Sequence, residues 1–203
     1  MIITAGEALV DLVPHAVPGG GPMNTAVACA RLGAPTAFLG AVSTDEHGDA
    51  IWAHLEASGV DLRLTQRRDE ATCRAEVIGD PPTFHFHGDG TADRFVEMPD
   101  PDLLGGGPHL LHGGTLGIFR EPGASVLAEI AETIDGIVSF DPNVRPRSSS
   151  RSAVGSGIRG STGGLPPARC SVAPTTTSPG SGRIVIRPTV PVSCLTGVSQ
   201  PCW

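Results

Sequence analysis

A glycine-rich block near the amino terminus is the first stretch whose residue types could do chemistry. Three consecutive glycines at 19–21 precede Pro22, Met23 and Asn24, and a helix-like apolar pattern follows. Glycine lets backbone approach a ligand closely, a helix N-terminus presents free N–H groups, and the Asn24 amide can donate to and accept from hydroxyls. Neither a GKS/T phosphate loop nor a GxGxxG dinucleotide turn is present. The block therefore predicts hydroxyl recognition or, taken alone, a plain flexible loop.

Acidic and amide side chains stand at the ends of two predicted strands. Asp11 ends an early strand, and Asp141 and Asn143 follow the apolar run 137–140. Open α/β sheets bind ligands outside the carboxyl ends of their strands, where a carboxylate can accept hydrogen bonds from two hydroxyls. The positions suit polyol recognition, although each one alone is also typical of a solvated turn.

The elements that would position these residues alternate between strand and helix. Short apolar runs predict strands at 2–5, 9–13, 36–42, 62–65, 109–113 and 137–140. Apolar residues at helical spacing predict helices at 22–32, 49–58 and 124–134. Such alternation predicts an α/β fold in which helices cover both faces of a parallel sheet.

One stretch departs from this alternation. Residues 71–97 carry no helix pattern, and Phe84 and Phe86 alternate with His85 and His87. We predict a two-stranded flap that lies beside the sheet and is not part of its core.

Charge divides the chain sharply. The part up to Asp141 holds all 21 acidic residues against seven arginines, a formal charge of −14, whereas the rest holds seven arginines and no acid. From residue 147 onward Ser, Gly, Pro, Thr and Arg dominate without periodicity, which predicts an irregular tail over 147–203. No apolar run of membrane-spanning length occurs, and five cysteines without a CxxC pair do not indicate a disulfide framework. We expect neither nucleic acid nor a membrane as a partner.

Six motifs occur in a characteristic order along residues 1–146. They are GEALVDL (6–12), GGGPMN (19–24), ARLG (30–33), GAVSTD (40–45), SGVD (58–61) and DPNVR (141–145). This set resembles the ribokinase/PfkB family of carbohydrate kinases, nearest to fructokinase-like and 2-keto-3-deoxygluconate-kinase-like members. A GTAD stretch ending at Asp93, after the aromatic flap, adds to the resemblance.

The resemblance implies a ribokinase-like three-layer sandwich with a β lid at about 71–97. It implies ATP-dependent phosphorylation of a sugar or sugar-acid hydroxyl with Mg²⁺, in the cytoplasm, and a homodimer formed through the lid. Carried over by position, the residues that hold the sugar are Asp11, Gly20, Gly21, Asn24, Asp141 and Asn143. Arg145 would neutralise phosphate charge, and no residue is assigned to a metal.

The sequence departs from the family in two ways that bear on activity. The family places its catalytic base in a carboxyl-terminal half, but no acidic residue follows Asp141 here. We therefore expect a truncated, weakly active or inactive kinase, with a tail that a frameshift would explain. The alternative is a non-catalytic sugar-binding fragment or a pseudokinase. In addition, Gly88 or Asp89 stands where fructokinase-like lids often carry an arginine, which weakens the case for fructose.

Overall fold

The computed structural model describes residues 1–78, 83–106 and 108–141. The strands, in chain order, are β1 (Ile2–Ala5), β2 (Leu9–Val13), β3 (His15–Gly19), β4 (Thr36–Ser43), β5 (Thr65–Arg68), β6 (Arg74–Ile78), β7 (Thr83–His87), β8 (His109–Gly114) and β9 (Gly136–Asp141). The helices are α1 (Gly21–Arg31), α2 (Glu46–Ala57), α3 (Pro101–Leu104) and α4 (Gly123–Thr133). Two 3₁₀ turns lie at Ala92–Arg94 and Thr115–Ile118.

Five strands form a wholly parallel sheet in the order β5-β4-β1-β8-β9. Its central strands are short apolar runs, and every residue of β4 is buried. This is expected for a parallel sheet whose two faces are both covered. The predicted α/β class is confirmed.

Helices cover the sheet on both faces, so the body has three layers. On one face α1 and α2 bury a cluster that includes Met23, Phe38 and Leu55. On the other face α4 buries Leu127 and Ile130 against the sheet. Both helical layers arise from apolar residues at helical spacing.

The lid is larger than the two-stranded flap expected from residues 71–97. It is a separate four-stranded sheet in the order β3-β2-β6-β7, with β2 and β6 parallel and the outer pairs antiparallel. The predicted strand 9–13 belongs to this lid and not to the main sheet, because β1 ends at Ala5 and the chain turns away at Gly6. The residues after β7 return to the body, where Val96 joins the core.

Helix α1 begins one residue before its predicted start at 22, and helix α2 begins three residues before its predicted start at 49. Helix α1 begins at Gly21, since Pro22 is tolerated in a first turn, where its missing N–H would have no partner anyway. Helix α2 begins at Glu46, because Asp45 caps it by accepting from the Gly48 backbone N–H.

None of the helices in the described ranges combines the length and the apolar character needed to cross a membrane. The irregular tail predicted for 147–203 lies outside the described residues.

Candidate functional site

The carboxyl edge of the main sheet brings together residues that follow or end three of its strands. Strand β1 leads to Glu7, β8 leads to Thr115, and β9 ends at Asp141. Gly114 pairs with Asp141, and its position allows no side chain, since a Cβ there would lie 2.6 Å from the Asp141 carbonyl oxygen. Helix α1 begins at the same edge, where its first backbone N–H, that of Gly21, points to Glu7. The edge therefore holds two carboxylates, and one of them, Glu7, already accepts from the first N–H of α1.

Glu7 links the start of α1 to the segment after β8, and it was not among the predicted site residues. It is 1 % exposed and accepts hydrogen bonds from the Gly21 N–H at 3.2 Å, from the Gly117 N–H at 2.8 Å and from the Thr115 hydroxyl. Burial raises the pKa of the Glu7 carboxyl, and these hydrogen bonds oppose the rise. In the sequence Glu7 is marked only as an acidic residue that closely follows a predicted strand and stands within an apolar run.

Asp11 lies in the middle of lid strand β2, so its predicted place at the carboxyl end of a main-sheet strand is wrong. Alternate residues of a strand share a face, which places Asp11 on the same face as Leu9. Leu9 belongs to a buried cluster with Leu116, whereas Val10, on the opposite face, belongs to the cluster under α1 and α2. The face that carries Asp11 is therefore the one directed toward the segment after β8. The Asp11 carboxylate overlies Gly19, where any side chain would collide with it. Asp11 therefore stands above the backbone that leads into α1.

The glycines of this backbone are required by close approach. Gly20 has a φ of 117°, and a Cβ there would lie 2.7 Å from the Glu7 carbonyl oxygen. At Gly21 a Cβ would come within 2.5 Å of Thr115 Cγ2. Asn24 follows in the first turn of α1 with its side chain exposed. The structure thus brings Asp11, Gly20, Gly21 and Asn24 into one region between lid and body.

The DPNVR element is described only at its start. Asp141 is the exposed last residue of β9, at the same edge as Glu7. Asn143 and Arg145 lie outside the described residues, so the structure does not place their side chains.

A second buried network lies beneath the lid. The Arg120 guanidinium, 6 % exposed, donates from Nη1 to Asp93 Oδ2 at 2.9 Å and to Cys73 Sγ at 3.3 Å. The Thr91 hydroxyl donates to the other oxygen of Asp93 at 2.6 Å. Burial raises the pKa of the Asp93 carboxyl, and the Arg120 cation opposes the rise. The GTAD stretch thus has a structural basis in the charge pairing of its final aspartate.

Asp45 joins the body to the start of the lid. It accepts from the Thr72 backbone N–H at 2.8 Å and from the Thr72 hydroxyl at 2.6 Å, in addition to capping α2. Burial alone would raise the pKa of Asp45, but these donors outweigh it and lower the pKa to about 2. Asp45 is therefore a structural anion that fixes where residue 72 enters the lid.

The described residues do not make up a complete site for nucleotide or Mg²⁺. Within 1–78, 83–106 and 108–141 no three His, Cys, Asp or Glu side chains gather as metal ligands would. Arg145, which the resemblance assigns to phosphate, lies outside these ranges.

A parallel α/β body with a separate small sheet at the carboxyl edge of its strands is the ribokinase-like architecture that the sequence resemblance implies. A family model described as "pfkB family carbohydrate kinase" matches residues 13–161. The chain belongs to this family. The sequence resemblance is thereby confirmed, and it covers the amino-terminal part of the chain.

Curated relatives agree with this assignment. A fructokinase from Rhizobium leguminosarum bv. trifolii is 31% identical over 160 residues, which cover 72% of this chain and 49% of the relative. The Escherichia coli fructokinase is 33% identical over 154 residues, which cover 69% of this chain and 50% of the relative. The chain therefore spans about half the length of the curated relatives it matches.

Solved structures match the fold over the same part. Fructokinase from Xylella fastidiosa with bound ATP aligns with a TM-score of 0.65 at 27% identity, over 73% of this chain and 55% of that one. Fructokinase from Vibrio cholerae O395, in a form with fructose, ADP and calcium ion bound, aligns with a TM-score of 0.61 at 30% identity. That alignment covers 71% of this chain and 51% of the other. The ribokinase-like fold with a separate small sheet is thus confirmed.

Proposed function

We propose that this chain forms the sugar-binding part of an ATP-dependent sugar kinase. The observation that carries the proposal is the position of Asp11, whose carboxylate lies on the lid against Gly19, two residues before α1 begins. A sugar beside this carboxylate would meet an acceptor for its hydroxyls. It would also meet the Asn24 amide, which can donate and accept. Asp141 borders the same edge from β9.

A ketose such as fructose is the first substrate to test. Fructokinases recur among the relatives, and one solved relative holds fructose. Neither Gly88 nor Asp89 supplies the lid arginine that the resemblance leads us to expect, but the Arg120 guanidinium occupies the space in front of Gly88. A cation is therefore present beneath the lid, supplied from a different position of the chain.

Phosphoryl transfer by the isolated chain is proposed to be weak or absent. A general base must come within hydrogen-bonding reach of the hydroxyl that it deprotonates. No acidic residue follows Asp141, and Glu7 is enclosed by three donors within the body. Asn143 and Arg145 remain proposed cleft residues, with Arg145 assigned to phosphate charge. ATP and Mg²⁺ remain the proposed co-substrate and cofactor of the complete kinase, which we place in the cytoplasm.

The lid is also the proposed site of homodimer formation. Val13 and Val17 are each 51% exposed, and both lie on the lid face that carries Asp11. Beyond the body this face presents apolar surface to solvent, which a second lid could cover. Light scattering coupled to size-exclusion chromatography distinguishes dimer from monomer, and Val17→Glu is expected to shift a dimer toward monomer.

A two-part experiment tests the proposed function. Calorimetric titration of the full chain with fructose, ribose and 2-keto-3-deoxygluconate should show saturable binding of at least one sugar. A coupled ADP-release assay with ATP and Mg²⁺ should show turnover near background. Binding without turnover supports the sugar-binding role, robust turnover supports a complete kinase, and failure of all three sugars to bind would contradict both.

A further inference from the structure

The chain crosses between body and lid four times. It enters the lid at 6–8, returns at 20–21, enters again at 71–73 and returns at 88–91. All four crossings contact one short segment after β8, residues 115–120, which we term the bracing turn. No local sequence pattern marks this segment, since its partners lie up to 110 residues away.

The first two crossings contact the amino-terminal end of the bracing turn. Glu7 accepts from the Thr115 hydroxyl and from the Gly117 N–H, and it also holds the Gly21 N–H. Thr115 has a φ of 51°, an uncommon conformation for a β-branched residue. That conformation brings its side chain against both Glu7 and Gly21. One carboxylate thus joins the entry into the lid, the start of α1 and the bracing turn.

The other two crossings contact the carboxyl-terminal end of the bracing turn. Arg120 Nη1 reaches Cys73 on the way into the lid and Asp93 just after the way out. Gly88 lies against the same guanidinium, since a Cβ at position 88 would come within 2.5 Å of Arg120 Nη2. The ion pair is almost completely removed from solvent, with side-chain exposures of 6 % and 1 %. Leaving either buried charge without its partner is costly, so the contact opens with difficulty.

We propose that the bracing turn sets the position of the lid over the sugar-binding edge, with Glu7 and Arg120 as positioning residues. Neither side chain needs to contact the sugar. They would act by holding Asp11 on the lid at a fixed distance from the start of α1. The inference rests on the proposed function for its consequence in sugar affinity, but the mechanical part can be tested without any sugar.

Two backbone hydrogen bonds report directly on the crossings. The Val10 N–H donates to the Cys73 carbonyl at 3.0 Å, and the Ala92 N–H donates to the Ala71 carbonyl at 3.0 Å. The Ile134 N–H, which donates to Ile130 at the end of α4, reports on the body. Hydrogen exchange at these three amides separates local opening of the lid from global unfolding.

In the full chain without sugar, Arg120→Met should speed exchange at Val10 and Ala92 by at least about tenfold, because Asp93 loses its buried partner. Exchange at Ile134 should stay within about twofold of wild type. Arg120→Lys keeps a cation, so its exchange rates at Val10 and Ala92 should lie between those of wild type and Arg120→Met. The double variant Asp93→Asn/Arg120→Met should exchange more slowly at these amides than Arg120→Met alone, because it leaves no unpaired buried charge. Arg63→Met, which breaks an exposed ion pair with Asp61, is the control and should change none of the three.

Equal acceleration at all three amides would show a merely structural role and overturn the inference, as would no acceleration at Val10 and Ala92. If Arg120→Met does not fold, Gly88→Ala gives the same test, since it displaces the guanidinium without removing it. A sugar titration of the variants then measures the functional consequence, with affinity expected to fall at least about threefold. If wild type binds no sugar, the proposed function fails while the exchange result still decides the role of the bracing turn.

Discussion

Gly88 lies directly against the guanidinium of Arg120, with room for no side chain between them. The family resemblance implies an arginine in the lid at the position of Gly88 or Asp89. Here the cation comes from the segment after β8 and is paired with Asp93 at the end of the GTAD stretch. A glycine at 88 and an arginine at 120 are therefore one structural feature.

The first prediction concerns this contact. Gly88→Ala should lower the free energy of unfolding by about 1–3 kcal/mol, because the added methyl forces the guanidinium away from a buried partner. Urea denaturation measures the change. Gly106→Ala is the matched control, because a Cβ there meets nothing within 4 Å. Equal free energies of unfolding for the two variants would show that the Arg120 guanidinium can move away from position 88 without loss of stability.

The second prediction concerns the glycine run. Gly20→Ala should lower stability by about 2 kcal/mol or more, since it combines a positive φ with a clash against the Glu7 carbonyl. Gly33→Ala isolates the conformational part, since Gly33 has a φ of 85° but open space around it. Its cost should be near 1 kcal/mol. If Gly20→Ala were as stable as Gly33→Ala, the contact between position 20 and the Glu7 carbonyl would not restrict the side chain at position 20.

The third prediction concerns Glu7. Glu7→Gln should lower stability by about 1–3 kcal/mol, because the amide must turn an N–H toward one of the backbone N–H groups that the carboxylate now satisfies. Thermal unfolding of the full chain measures the loss. A Glu129→Gln variant, changed at an exposed position on α4, should behave as wild type. Equal melting temperatures of the two variants would refute the claim that the hydrogen bonds of Glu7 stabilise this edge.

The fourth prediction concerns acid stability. The pKa of Asp45 in the folded chain is about 2, below its ordinary 3.8, so the unfolded chain binds more protons between these values. Its stabilisation is complete above about pH 4 and is lost as pH falls toward 2. Asp45→Asn should cost about 1 kcal/mol at pH 7, allowing for screening by solvent, and the deficit should shrink toward pH 2. Urea midpoints at a series of pH values check this, and a deficit that is constant with pH would contradict it.

Much of the body could be predicted from the sequence because its signals are local. The periodicity in α4 and the apolar runs of β4 and β8 reflect direct burial in the core. The strand predicted at 62–65 overlaps the observed β5 (Thr65–Arg68) at one residue only. The observed strand is polar and is held by backbone pairing with β4, so no apolar run marks it. Strand β2 was assigned to the wrong sheet, because its apolar residues look locally like those of a core strand.

The site was predicted in part for the same reason. Asp11, the glycine run and Asn24 form recognisable motifs, and the structure brings them together. Glu7 and Arg120 were missed as site residues, because what makes them important are contacts distant in sequence. Glu7 meets Gly117 at a separation of 110 residues, and Arg120 meets Cys73 at a separation of 47. No composition or spacing along the chain records such pairings.

The central claim is that the lid carboxylate of Asp11 and the start of α1 hold a sugar. Titrating fructose into wild type, Asp11→Ala and the control Glu129→Ala by calorimetry tests it most directly. Wild type and the control should bind with the same affinity. Asp11→Ala should lose at least about tenfold, the worth of hydrogen bonds to a charged acceptor. Unchanged affinity in Asp11→Ala would contradict the account.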